Sequence, residues 1–190
     1  MKFPSLLWPL AVACLTAIAL PAAAQQKVVP AQSSIGFVFK QMGVPVEGHF
    51  KKFDAQINFD AAKLAASKVN FTVDIVSATL GTPEVDAELP KADWFNTAKF
   101  PQATFASSAF KALGNGKYEV AGKLSVKGQS RDVVVPVTMT QAGAVTTATG
   151  AFPIKRLAFK IGENEWADTS MVADDVQVKF KLALTGVGKL

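Results

Sequence analysis

The sequence predicts an all-β fold, and three observations carry that prediction. Short runs alternate between apolar and polar residues with a period of two. In each clear run one face is apolar and the other wet, as in an antiparallel sheet with a solvated side. Turn-forming dipeptides punctuate the runs, Asn115-Gly116 foremost. Together they imply about eight or nine strands, spaced as in a sandwich or a barrel.

The strands follow in chain order. Ile35, Phe37 and Phe39 alternate with Gly36, Val38 and Lys40. Phe53, Ala55, Ile57 and Phe59 alternate with Asp54, Gln56, Asn58 and Asp60, and Val69, Phe71, Val73 and Ile75 with Lys68, Asn70, Thr72 and Asp74. Tyr118, Val120, Gly122, Leu124 and Val126 form one face of a later strand. Val176, Val178, Phe180, Leu182 and Leu184 form the clearest face of all. Less regular strands cover Val44 to Phe50, Ala103 to Phe110, Val133 to Met139 and Val145 to Ile154, with turns at Gly128-Gln129 and Ala142-Gly143. Two stretches break the alternation. Ala61 to Ser67 reads as a short helix. Thr82 to Phe95 reads as another, with Thr82 as N-cap, Pro83 at the first helical position and a stop or kink at Pro90. A helix there would carry Trp94 and Phe95 over one end of a barrel.

The N-terminus reads as a secretory signal. Lys2 precedes an apolar run from Phe3 to Leu20, and Ala22-Ala23-Ala24 supplies the small residues of a cleavage site. The expected mature domain is residues 25–190, with export to the periplasm or beyond. Cys14, the only cysteine, falls within the signal; the still apolar residues after it argue against a lipoprotein site. An exported domain without disulfides relies on its core. The net charge of +5, with Lys2 contributing one unit, comes from scattered residues rather than a clustered stripe, which argues against nucleic-acid binding. A transient contact with anionic headgroups remains compatible with it.

Catalytic constellations are sparse. The one histidine, His49, shares the polar face of its strand with Glu47 and Lys51, and no nucleophile in a turn motif accompanies it. Asp86, Glu88 and Asp93, and Asp168, Asp174 and Asp175, have no calcium-loop spacing and read as solvated loop acids. The aromatic content is more informative, with 14 phenylalanines against three tryptophans and one tyrosine. Such a set suits a greasy interior more than a polar active site. Periodicity alone does not say whether a barrel of about eight strands is filled or holds a ligand.

Ordered local patterns extend the reading. Ser34-Ile35-Gly36-Phe37 is followed by Val46-Glu47-Gly48-His49-Phe50, Ile57-Asn58-Phe59-Asp60 and Ser67-Lys68-Val69. Asp86-Ala87-Glu88-Leu89, Asp93-Trp94-Phe95 and Phe100-Pro101-Gln102-Ala103-Thr104-Phe105 come next. Tyr118 to Leu124, then Ile154, Arg156, Phe159, Trp166 and Asp174-Asp175-Val176 complete the series. In this ordered set the chain resembles the YceI-like family of bacterial exported proteins along nearly its whole length. The resemblance implies a lipocalin-like closed antiparallel β-barrel with one or two short helices near the mouth. It also implies an internal apolar tunnel for a polyisoprenoid or an isoprenoid quinone of ubiquinone type; no covalent cofactor is expected, and the sequence leaves monomer and homodimer both open.

The residues expected to line that tunnel are Phe37, Phe39, Phe50, Ile57, Phe71, Val73, Ile75, Phe105, Leu124 and Val126, with Trp94 and Phe95 at the mouth. Arg156 and Trp166 form a polar-aromatic pair with either a headgroup role or a structural one, the latter as a salt bridge from Arg156 to a loop acid such as Asp168. A carrier is the expected function. An exported interaction protein with a filled barrel, or an enzyme using Asp86 or Asp93 on a lipid headgroup, are the alternatives.

Overall fold

The computed structural model describes residues 25–190; the expected signal segment, 1–24, lies outside the described residues. The strands are β1 (Lys27–Val28), β2 (Ser34–Gln41), β3 (Val44–Phe50), β4 (Phe53–Asn58), β5 (Lys68–Asp74) and β6 (Ala78–Thr79). They continue with β7 (Gln102–Gly114), β8 (Lys117–Val126), β9 (Gln129–Ala142), β10 (Val145–Lys155) and β11 (Asp175–Thr185). All belong to one antiparallel sheet of 11 strands in the order β4-β5-β7-β8-β9-β10-β11-β2-β3-β6, with β1 paired to the far end of β11.

Two expectations need correction. The strand count exceeds eight or nine because β1 and β6 are two residues long, too short to show alternation. The ladder is also not closed: β4 and β6 are its ends and do not pair with each other. The sheet curls into a partial barrel instead. At one end of the split a side chain bridges the strands. Gln26, just before β1, donates from Nε2 to the carbonyl of Phe59 and accepts at Oε1 from the Phe59 amide, both at 2.8 Å. Its amide thereby stands in for a strand neighbour at the end of β4.

The hairpins form where the sequence supplies left-handed residues. Asn115 and Gly116 both have positive φ, 52° and 71°, the conformation a two-residue hairpin turn demands. The next turn sits at Lys127-Gly128, one residue before the expected position. Strand β7 changes register between Ser107 and Ala109. This bulge reverses the parity of the strand, so Phe105 and Phe110 both face inward although five positions apart.

The helical expectations shrink. Thr82 to Phe95 contains one turn of helix, α1 (Pro83–Asp86), followed by a chain of turns. Pro83 occupies the first helical position as expected, but Thr82 makes no side-chain cap. Asp86 ties α1 down instead, accepting from the Thr79 hydroxyl at 2.5 Å and the Leu80 amide at 2.6 Å. Ala61 to Ser67 contains a single 3-10 turn, Leu64–Ala66, whose Leu64 packs into the cluster around Phe59 and Leu184 rather than at the mouth.

Candidate functional site

The inner face of the curled sheet surrounds two adjoining chambers of about 180 and 360 Å³. They meet at Ile35, Val73, Ala103, Leu124, Phe152 and Val178, which line both. In the smaller chamber the only polar lining residues are Thr104 and Tyr118. The larger chamber reaches solvent where exposed Gln41, Glu84 and Val85 line it.

Every residue expected at the site lines one chamber or the other. Ile57, Phe71 and Phe105 line the smaller, and Val73 and Leu124 lie at the junction. Phe37, Phe39, Phe50, Ile75, Val126, Trp94, Phe95, Arg156 and Trp166 line the larger.

A core this rich in phenylalanine stays hollow because several rings lie along the wall. On the inner face Phe37 lies over Gly48, Phe105 over Gly122 and Phe180 over Gly150, each ring on a glycine of the neighbouring strand. A Cβ at any of those glycines would collide with the ring. The absent side chains let the rings sink flat instead of projecting to the centre, the same fit by which aromatics cover glycines in designed sheets. Phe37 also contacts Phe39 and Phe50, with centroids at 6.4 and 5.3 Å.

The loops over the larger chamber are organised by Arg156, which is 2% exposed. Its guanidinium carries five N–H groups, and all are donated to main-chain carbonyls. Nε reaches Ala173 at 3.1 Å, Nη1 reaches Ile161 at 2.9 Å and Gly162 at 2.7 Å, and Nη2 reaches Trp166 and Val172 at 2.7 Å each. Burial pushes its pKa down, partly countered by nearby Asp174. The expected salt bridge to Asp168 is not formed: Asp168 accepts from the amide and hydroxyl of Ser170 in its own turn. A planar fork buried among converging carbonyls needs no carboxylate to be satisfied. Arg156 therefore serves the fold, and its donors are not available to a headgroup.

Trp94 and Trp166 pack against each other beside this knot, with centroids at 5.4 Å. The two loops are stitched by the Asp93 carbonyl, which accepts from the amides of Gly162 and Glu163 at 2.8 and 2.9 Å. Lys127, 6% exposed, joins the same junction through Glu163 at 3.0 Å and the carbonyls of Asp93 and Lys160. The Trp94 indole Nε1 is buried with no hydrogen-bond partner among the described residues. His49 is exposed, on the outer face between Gly36 and Thr79.

Sequence reasoning missed several lining residues. Val178, Phe180 and Leu182 share the face of the strand with the clearest alternation, and that parity places them in the wall. Phe110 is hidden by the β7 bulge, which no local pattern announces. Leu80, Val85 and Leu89 reach the larger chamber from turns, where strand periodicity has no say.

Comparisons with known proteins agree with this architecture. BcnA of Burkholderia cenocepacia superposes with a TM-score of 0.80 at 49% identity, over 82% of this chain and 98% of that one. A polyisoprenoid-binding domain from Saccharophagus degradans shares the fold with a TM-score of 0.67 at 15% identity, over 85% of this chain and 98% of that one. A UPF0312 protein of Vibrio cholerae is 35% identical over 114 residues, which span 60% of each chain. A Photorhabdus laumondii relative is 34% identical over 149 residues, 73% of this chain and 77% of its own. The YceI-like domain family matches residues 26–184, essentially the whole curled sheet with its loops, and the chain belongs to that family.

Proposed function

We propose that this protein binds a long isoprenoid lipid in the paired chambers and acts as an exported carrier, with an isoprenoid quinone of ubiquinone type as its ligand. The observation that carries the reading is a pair of adjoining, largely apolar chambers walled in part by flattened phenylalanines. The polyisoprenoid-binding domain of Saccharophagus degradans, which shares the fold, supports the ligand class.

The energetics favour a tail-dominated interaction. Burying one five-carbon prenyl unit contributes about 4 kcal/mol, at about 0.8 kcal/mol per methylene equivalent. A few units would approach the ceiling for non-covalent binding, about 18–21 kcal/mol, so lost tail freedom must offset much of the gain. Affinity then follows tail length and apolarity, which suits transport. Catalysis requires interactions stronger in the transition state than in the ground state. The acids that an enzyme reading would use, Asp86 and Asp93, line neither chamber and are engaged with Thr79, Leu80 and Asn164.

The test is extraction of protein purified from its native host, followed by mass spectrometry. A stoichiometric isoprenoid lipid is the expected result, and a quinone would add ultraviolet absorbance absent from delipidated protein. Clean apoprotein from membrane-replete cells would refute the carrier reading. Cell fractionation tests the location: mature protein beginning near Gln25 in the periplasmic fraction is expected, and retention in the cytoplasm would refute export.

A further inference from the structure

We infer that the rim of the larger chamber docks on the surface of a zwitterionic lipid bilayer. The inference rests on the lipid-binding reading above and adds the surface through which the ligand is exchanged.

Among the described residues seven large apolar side chains are exposed, and four of them, Met42, Val44, Val85 and Met171, gather where the larger chamber opens. Three separate segments supply them. Val85 stands on α1 and lines the mouth itself. Met42 and Val44 lie at the tip of the β2–β3 hairpin, beside the lining residue Gln41, which pairs with Val44. Met171 precedes the lining residue Val172, and the Met42 amide donates to the Met171 carbonyl at 2.8 Å, so the two methionines share one edge of the opening. Val76, Leu113 and Val134 stand on three other segments. Apolar residues exposed singly are ordinary, whereas a cluster around an opening marks a contact surface.

Met42 is the most telling member. It is 67% exposed, and its φ of 48° lies in the left-handed region, which suits asparagine far better than a long side chain. The β7–β8 hairpin does place an asparagine at such a position, Asn115 at φ 52°. At Met42 the chain accepts both an unfavourable backbone and a thioether left in water, and the core gains nothing from either. A local rule broken in this way marks a residue kept for function.

Charge and area identify the occupant. A surface that recruits anionic lipid carries a cluster of about four or more lysines and arginines. Residues 40–44, 83–91 and 168–172 hold only Lys40 and Lys91 against Glu84, Asp86, Glu88 and Asp168, and Lys91 is paired with Glu88. The rim therefore suits a bilayer without net charge. A stable protein interface buries about 800 Å² on each partner, more than four partly exposed side chains offer. A bilayer sets no such minimum: methionine and valine side chains enter the acyl boundary while the sheet stays in water. A prenyl tail passing through this rim then never meets bulk water.

The test is flotation of the delipidated mature protein with phosphatidylethanolamine–phosphatidylcholine vesicles. Native protein is expected to float with them, at least as well at high salt as at low, since salt screens charge and not apolar burial. A Met42→Asn/Met171→Gln double variant keeps the hairpin turn and should lower the vesicle partition coefficient by at least about tenfold. Neither residue lines a chamber, so this variant should take up farnesol from solution as native protein does, followed by the fluorescence of Trp94 and Trp166. Native protein that stays off the vesicles overturns the docking and assigns the rim to a protein partner. A double variant that floats as well as native protein overturns it too, as does flotation that requires anionic phosphatidylglycerol and is abolished by salt. These three results leave the carrier reading standing. Native protein that floats but takes up no farnesol upholds the docking and refutes the carrier reading alone.

Discussion

Adding one methyl group at Gly48 tests whether the hollow interior depends on rings lying over glycines. Gly48 is buried on β3 directly opposite Phe37 of β2. A Cβ there would run into Phe37 Cζ first, and would sit 2.7 Å from Phe37 Cε2 and 2.8 Å from Leu80 Cδ2, against the 3.4 Å at which ordinary contact begins. Its φ is not in the left-handed region, so the collision is with side chains and backbone strain does not enter. The Phe37 ring must retreat inward by about 1 Å, because its Cζ lies nearer still than Cε2, into space the larger chamber now offers. Overpacking of this kind costs about 1–3 kcal/mol of stability. A ring displaced that far excludes one or two methylenes of an occupant, about 0.8–1.6 kcal/mol, or about 4- to 15-fold in affinity. Gly48→Ala is therefore expected to lower the melting temperature and weaken farnesol binding by that factor. Gly48→Ala combined with Phe37→Leu, which removes the obstructing ring, should recover much of both losses, and the double-mutant cycle measures the coupling. If Gly48→Ala binds farnesol as tightly as the native protein, or if the second change recovers nothing, the account of the cavity wall is wrong.

Other perturbations separate structural roles from binding roles. Arg156→Ala strands five carbonyls around a buried void, and urea unfolding should show a loss above about 4 kcal/mol, with Arg156→Lys intermediate because three donors replace five; near-native stability of the alanine variant would refute the knot. Trp94→Phe should change stability by less than about 1 kcal/mol, because the indole N–H it removes has no partner, whereas Trp94→Ala should cost about 3–5 kcal/mol in the same assay. The Asp86 carboxyl is held below its ordinary 3.8, first by the Thr79 hydroxyl and then by the Leu80 amide. Its stabilisation is thus full above that value and lost as pH falls through the lower folded-state pKa. Asp86→Asn should lower stability at neutral pH and flatten the acid limb of a denaturation-against-pH curve; parallel curves would refute the assignment.

Much of this architecture is legible from residue order. Side-chain parity on β2, β4, β5 and β8 places Phe37, Ile57, Phe71 and Leu124 in the wall, because one face of each strand must avoid water. What parity does not carry is shape. Whether Phe37 fills the interior or lies along it depends on Gly48, which is distant enough in sequence that only the register of β2 against β3 brings them together. The bulge that turns Phe110 inward is a property of the β7–β8 pairing rather than of any residue in β7. Arg156 illustrates a further limit. Its partners are carbonyls, which every residue possesses, so composition points to acids such as Asp168 while the folded chain supplies main-chain oxygens. The helix expected through Phe95 fails for a related reason. Pro90 interrupts it, and the Leu89 and Lys91 carbonyls accept from Phe95 and Asn96 in turns that fold the aromatic pair back over the chamber.

The amide of Gln26 has a mechanical consequence. In a fully hydrogen-bonded cylinder the bore is set by strand number and stagger, and no single interaction can relax it. Here two bonds from one side chain hold the end of β4, and parting them costs about 1–3 kcal/mol. The girth of this vessel is thus held at one line by a glutamine side chain and not by a ladder of strand bonds.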